Sequence, residues 1–136
     1  MDGIRLFGVD SLLIPINDGL HWTLLVISGT NKTISYYDSL YSNPGKYLAF
    51  GRAFVAGVLS KEYREEDWVV VDASSAQQAN GLDCGVFVVM NALALVRGRD
   101  PLVAFGAGDV AAARRMVGAV LLNGGLTGEF ETKFYE

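Results

Sequence analysis

Short apolar runs separated by polar turns fill the first part of the chain. The segments "SLLIPI" (residues 11–16) and "HWTLLVIS" (residues 21–28) are rich in branched and aromatic residues and predict two short buried strands. The polar "NDGL" between them is a turn. "GTNK" then interrupts the pattern before "TISYYD" (residues 33–38), so the second and third strands form a hairpin with a connection of about two to four residues. "SNPG" closes that unit. From Tyr47 to about Tyr63 the spacing of Leu48, Phe54, Val55, Val58 and Leu59 predicts an amphipathic helix, although Gly51 and Gly57 carry a propensity cost. "DWVVVDA" (residues 67–73) predicts a fully buried strand.

After a polar stretch over residues 74–83, the run 86–96 is apolar on all sides and has too many Ala, Met and Leu for a strand of that length. It predicts a central, buried helix. A last helix is expected over residues 109–122, with Asp109 placed as its N-cap or first-turn acid and with the pair Arg114 and Arg115 on it. The expected fold class is therefore α+β, a small mixed sheet packed on one buried helix.

Composition narrows the function. A chain of 136 residues fits a single domain, residues 1–136, and buries roughly two-thirds of its unfolded surface at that size. A hydrophobic share of 51% and a charged share of 19% suit a folded globular protein. Net charge is -4, and only 11 Lys and Arg are spread along the chain, which argues against a nucleic-acid partner. The opening "MDGIRLFGVD" lacks the basic-then-apolar layout of a leader, and no apolar run approaches the ~18 residues of a membrane span, so no membrane partner is expected and an intracellular location is. One Cys and one His, Cys84 and His21, make neither an intrachain disulfide nor a Cys/His zinc site, and no metal or cofactor is expected.

Cys84 therefore acts, if it acts at all, as a thiol. It stands between Asp83 and Gly85 at the head of the apolar run, where unpaired backbone N–H groups and the helix dipole favour a thiolate. A buried structural thiol is the competing reading, but Asp83 and Gly85 are poor core residues, and a Gly after a nucleophile lets a substrate carbonyl approach the main chain. A thiol nucleophile needs a base and a group to orient it, and His21 is the sole candidate base. With a four-residue loop over residues 28–31, Ile27 pairs with Lys32 and His21 falls opposite Asp38, with Cβ atoms ~4.5 to 5.5 Å apart. A two-residue loop breaks that pairing. Acyl transfer also needs oxyanion donors. Gln78, six residues before Cys84 and separated from it by the "ANG" turn, can fold its amide back beside the thiol, and the Cys84 N–H is the natural second donor.

"HWTLLVI", "YYDSL" and "QQANGLDCGVFVVMNAL", in this order, resemble the ubiquitin-like protease family, the sentrin-specific cysteine proteases that process and remove SUMO-type modifiers. The resemblance extends to "DVAAARRMVGAVLL", which is similar to the family's Arg-Arg-containing final helix. It implies a papain-like cysteine protease core whose buried central helix starts at the nucleophile. It further implies Cys84 as nucleophile, His21 as base, Asp38 as orienting acid and Gln78 as oxyanion donor. Trp22, Asn80 and Gly85 are the candidate substrate contacts, Trp22 as the cover of a narrow channel for a Gly-Gly tail, with core packing as its alternative. The implied partner is a ubiquitin-like modifier and its conjugates, SUMO or the neddylation modifier, in the nucleus or cytoplasm. The helical segment and Trp-Leu motif that family domains carry upstream of the first strand do not occur in this sequence, so the expectation is either a fragment or minimal version, or a homodimer or partner that replaces that surface. The rival reading is a non-catalytic module of this fold that only binds a modifier.

Overall fold

The computed structural model describes residues 8–124. Residues 1–7, most of the N-terminal stretch read above for a leader pattern, lie outside the described residues. Four strands form one sheet in the order β1 (Leu12–Asn17), β2 (Trp22–Ser28), β3 (Thr33–Tyr37), β4 (Val69–Ala73). The first three are antiparallel, and β4 joins β3 in parallel after the crossover helix α1 (Gly45–Leu59). Then come α2 (Cys84–Val96), a short α3 (Pro101–Ala104) that the apolar pattern did not predict, and α4 (Val110–Leu122). α3 is nucleated by Asp100, whose carboxylate accepts from the Leu102 N–H at 2.9 Å, with Pro101 at the first helical position. The mixed sheet and its helices match the expected α+β class.

β2 is the centre of the molecule because alternate residues on it are buried on opposite faces. Leu25 and Ile27 join Ile34, Tyr36, Val55 and Trp68 under α1, whereas Leu24 and Val26 meet Val88 of α2. α1 approaches closely at Gly51, where a Cβ would fall 2.6 Å from Ile34 Cγ2. A third cluster, Phe87, Met90, Phe105, Ala113 and Met116, ties α2 to α4 and to the stretch after α3.

Three expectations are corrected. The hairpin connection has four residues, but they are 29–32, and the ladder pairs Ser28 with Thr33 and Ile27 with Ile34. Ser28 stays in the strand because its hydroxyl organises the turn, accepting from the Asn31 N–H at 3.1 Å and donating to the Asp10 carbonyl at 3.0 Å. Lys32, with φ of 51°, completes the turn in the left-handed region. His21 is thus not directly opposite Asp38. The shift is two residues, so the side-chain faces are preserved. β4 is not fully buried, since it is an edge strand with Val69 58% exposed, and only its α1-facing side, through Val70, joins the core. α2 begins at Cys84, as expected, but is not apolar-packed all round: β2 and α4 cover it on two sides, while Val89 and Val96 are exposed.

Candidate active site

The turn between β1 and β2 is built by its own polar side chains. Asn17 accepts from the Gly19 N–H at 2.8 Å and Asp18 from the His21 N–H at 3.0 Å, with Gly19 at φ 103°. This turn delivers His21 to the end of β2, where its Nε2 lies 2.6 Å from Asp38 Oδ1. Asp38 follows the last residue of β3, and the chain wraps around its carboxylate. Oδ1 also accepts from the Leu40 N–H at 2.8 Å, and Oδ2 accepts from the Ser42 N–H at 2.7 Å and from the Ser42 hydroxyl. Burial alone would raise its pKa, but Ser42, His21 and the two backbone donors outweigh burial and hold the carboxyl below its ordinary value.

Cys84 opens α2 and is 7% exposed. Burial disfavours its thiolate. Against this act the Trp22 N–H, a hydrogen bond to the His21 ring, the charge of that ring and the Gly85 N–H, and the net result is a thiol pKa below the ordinary value. His21 shows the mirror behaviour: burial would lower its pKa, but Asp38 and Cys84 together raise it. Each group stabilises the ionised form of its neighbour. Cys84, His21 and Asp38 are therefore brought into one hydrogen-bonded line from three separate elements.

Gln78 is held just as firmly. Its Oε1 accepts from the buried Ser39 hydroxyl at 2.5 Å, its Nε2 donates to the Asn80 carbonyl, and its own N–H donates to the Ser39 carbonyl at 3.0 Å. A reversed amide would set Oε1 against the Asn80 carbonyl, so that carbonyl selects the orientation, and the Ser39 hydroxyl, able to donate or accept, fits it. The rest of the loop is anchored by Gln77, whose Nε2 donates to the Asp38 and Ser75 carbonyls at 3.0 Å each, and by Asn91 of α2, whose amide donates to Ser75 Oγ at 3.0 Å. Asn80 shapes the turn, its Oδ1 accepting from the Leu82 N–H at 2.8 Å. Trp22 is 43% exposed, which is not core packing, and a Cβ on Gly85 would meet its Cδ1 at 4.0 Å. Trp22, Gly85 and Cys84 thus share one surface.

Ser39, Ser42 and Arg114 were not singled out as site residues from the sequence. Ser42 carried a readable signal, because an Asp whose carboxylate collects N–H groups two and four residues on is a known turn device. Ser39 and Arg114 lie in the motifs "YYDSL" and "DVAAARRMVGAVLL" that carry the resemblance, but their partners are distant in the chain, so the sequence did not show what they bind. Among the described residues no cluster of three or more His, Cys, Asp or Glu could hold a metal ion.

Residues 3–103 match the family described as the Ulp1 protease family, C-terminal catalytic domain. The chain is 32% identical over 125 residues to ubiquitin-like-specific protease 1 of Saccharomyces cerevisiae, covering 87% of this chain and 19% of that protein. It is 34% identical over 102 residues to NEDD8-specific protease 1 of Schizosaccharomyces pombe, covering 68% of this chain and 23% of that protein. Among solved structures, the Chaetomium thermophilum Ulp1-like SUMO protease catalytic domain superposes with a TM-score of 0.86 at 36% identity, over 96% of this chain and 52% of that one. This chain thus spans about half of that catalytic domain and about a fifth of each of the two curated relatives. With the same fold and a family match across most of its length, the chain belongs to the Ulp1 protease family, in the region of its C-terminal catalytic domain.

Proposed function

We propose that this chain is a thiol peptidase that hydrolyses the bond after the Gly-Gly terminus of a ubiquitin-like modifier, in maturation or deconjugation. The observation that carries the reading is the Asp38–His21–Cys84 line, with Asp38 2.6 Å from His21 Nε2 and the thiol pKa lowered by the same ring. Since Nε2 is engaged with Asp38, Nδ1 is the ring nitrogen left for the thiol. His21 takes the Cys84 proton, and the thiolate attacks the glycine carbonyl. The resulting oxyanion is held by the Cys84 N–H and by the second amide hydrogen of Gln78, whose first is taken by the Asn80 carbonyl. His21 returns the proton to the leaving amine, and a water molecule then hydrolyses the thioester.

The half-exposed Trp22 beside Gly85 supports glycine selectivity, because an indole over the approach to Cys84 leaves little room for a Cβ on the substrate. Gly85 and Asn80 line the approach. The similar proteins include a SUMO protease and a NEDD8-specific protease, and both modifiers are the proposed substrate classes. The deciding experiment is intact-mass measurement after incubation with electrophile-tipped SUMO, NEDD8 and ubiquitin, with a Cys84→Ala control. A Cys84-dependent adduct with SUMO or NEDD8 identifies the class. A folded protein that forms no adduct with any of the three overturns the peptidase reading.

A further inference from the structure

We propose that Arg114 of α4 is a positioning residue for the Cys84 thiolate: it draws the Asp83 carboxylate away from the first turn of α2, leaving the Gly85 N–H to the sulfur. Asp83 occupies the N-cap position of α2, and Asp is among the best capping residues. Its side chain nevertheless makes no capping hydrogen bond, and its backbone (φ -100°, ψ 3°) is not the extended conformation that capping requires. The carboxylate instead accepts from Arg114 Nη2 at 2.6 Å, and the same Nη2 reaches the Leu82 carbonyl at 3.2 Å. Arg114 therefore grips both the peptide before Asp83 and its side chain.

The consequence lies in the identity of the N–H groups at stake. A capping side chain accepts from the second or third residue of its helix, here Gly85 or Val86. Gly85 is one of the two residues whose backbone N–H stabilises the Cys84 sulfur. A capping Asp83 would compete with the thiolate for that donor and would add a negative charge beside it, and both effects disfavour the thiolate. The charged and titratable groups around the sulfur are His21 from the β1–β2 turn, which acts on it directly, Asp38 from the end of β3 through His21, and Asp83 next to it in the chain, which is paired with Arg114 from α4. The Asp83 side chain is 10% exposed and that of Arg114 51%, so removing the guanidinium disturbs little packing but leaves a mostly buried carboxylate unpaired.

The test is the pH dependence of Cys84 alkylation by iodoacetamide in the full chain. Alkylation needs no modifier, so its outcome is independent of whether the site cleaves one. Arg114→Met is expected to move the midpoint upward and to slow alkylation at neutral pH, roughly tenfold if the midpoint rises by a full pH unit. Asp83→Ala alone is expected to leave the midpoint at or below the wild-type value. The combination of Asp83→Ala with Arg114→Met is expected to restore it, because the competing carboxylate is gone. Arg114→Lys, which keeps the charge, is expected to stay close to wild type, and Arg114→Gln serves in place of Arg114→Met should that variant not fold. An unchanged midpoint in Arg114→Met or Arg114→Gln overturns the proposal. So does a double variant as slow as the Arg114 single variant, which would make the arginine a structural tie only.

Discussion

At the scale of the residue, Asp38 shows how a strand end becomes chemistry. Its carboxylate takes two backbone N–H groups, one hydroxyl and the His21 ring, so its charge is fixed before any substrate arrives. Asp38 and His21 leave opposite pH signatures in stability. Asp38 is lowered relative to an unfolded value of ~3.9, so its contribution is present above that pH and is lost as pH falls through the folded value. His21 is raised relative to ~6.5, so its contribution is complete below that pH and is lost as pH rises through the folded value. Thermal unfolding midpoints of the wild type should therefore decline on the acid side of a mildly acidic optimum, while on its alkaline side the loss from His21 is opposed by the lowered Cys84 thiol. Asp38→Asn should be less stable across that optimum and lose most of the acid-side slope, and an unchanged slope would mean that the carboxylate is not the group responsible.

At the scale of the element, α1 carries two interior glycines, Gly51 and Gly57, that the helical pattern could not tell apart. Both interrupt the same periodicity, yet one faces the sheet and the other faces open space. A methyl on Gly51 meets Ile34 Cγ2 at 2.6 Å and Leu25 Cδ2 at 3.5 Å, whereas one on Gly57 meets nothing within 4 Å. Gly51→Ala should destabilise by about 1–3 kcal/mol through overpacking. Gly57→Ala should stabilise by about 0.4–1 kcal/mol by restricting the unfolded chain and favouring the helix. Denaturant titration of the two variants checks both signs. α2 teaches the companion lesson. Its apolar run predicted where a helix lies and its head at Cys84, but not that Val89 and Val96 would be left exposed.

At the scale of the whole molecule, β2 is the element that both layers share. Leu25 is fully buried under α1, and Leu25→Ala should cost about 2–5 kcal/mol, read as a lower denaturant midpoint. The α+β class, the hairpin, the helix at Cys84 and the meeting of Cys84, His21 and Asp38 were legible in the sequence. The first three follow from periodicity and local motifs, whereas the three site residues, distant in the chain, were grouped by a thiol's need for a base and an orienting acid and by the family resemblance. The His21–Asp38 contact survived an incorrect register because a shift of two residues keeps a side chain on its face. What tertiary structure alone decided was the set of partners far apart in sequence. Ser39 meets Gln78 across 39 residues and Arg114 meets Asp83 across 31. The open side of β4 and the half-open α2 were decided in the same way. Such pairings arise from how the layers close over β2, and a one-dimensional pattern holds no record of which distant hydroxyl or guanidinium that closure will bring to a given carboxylate or amide.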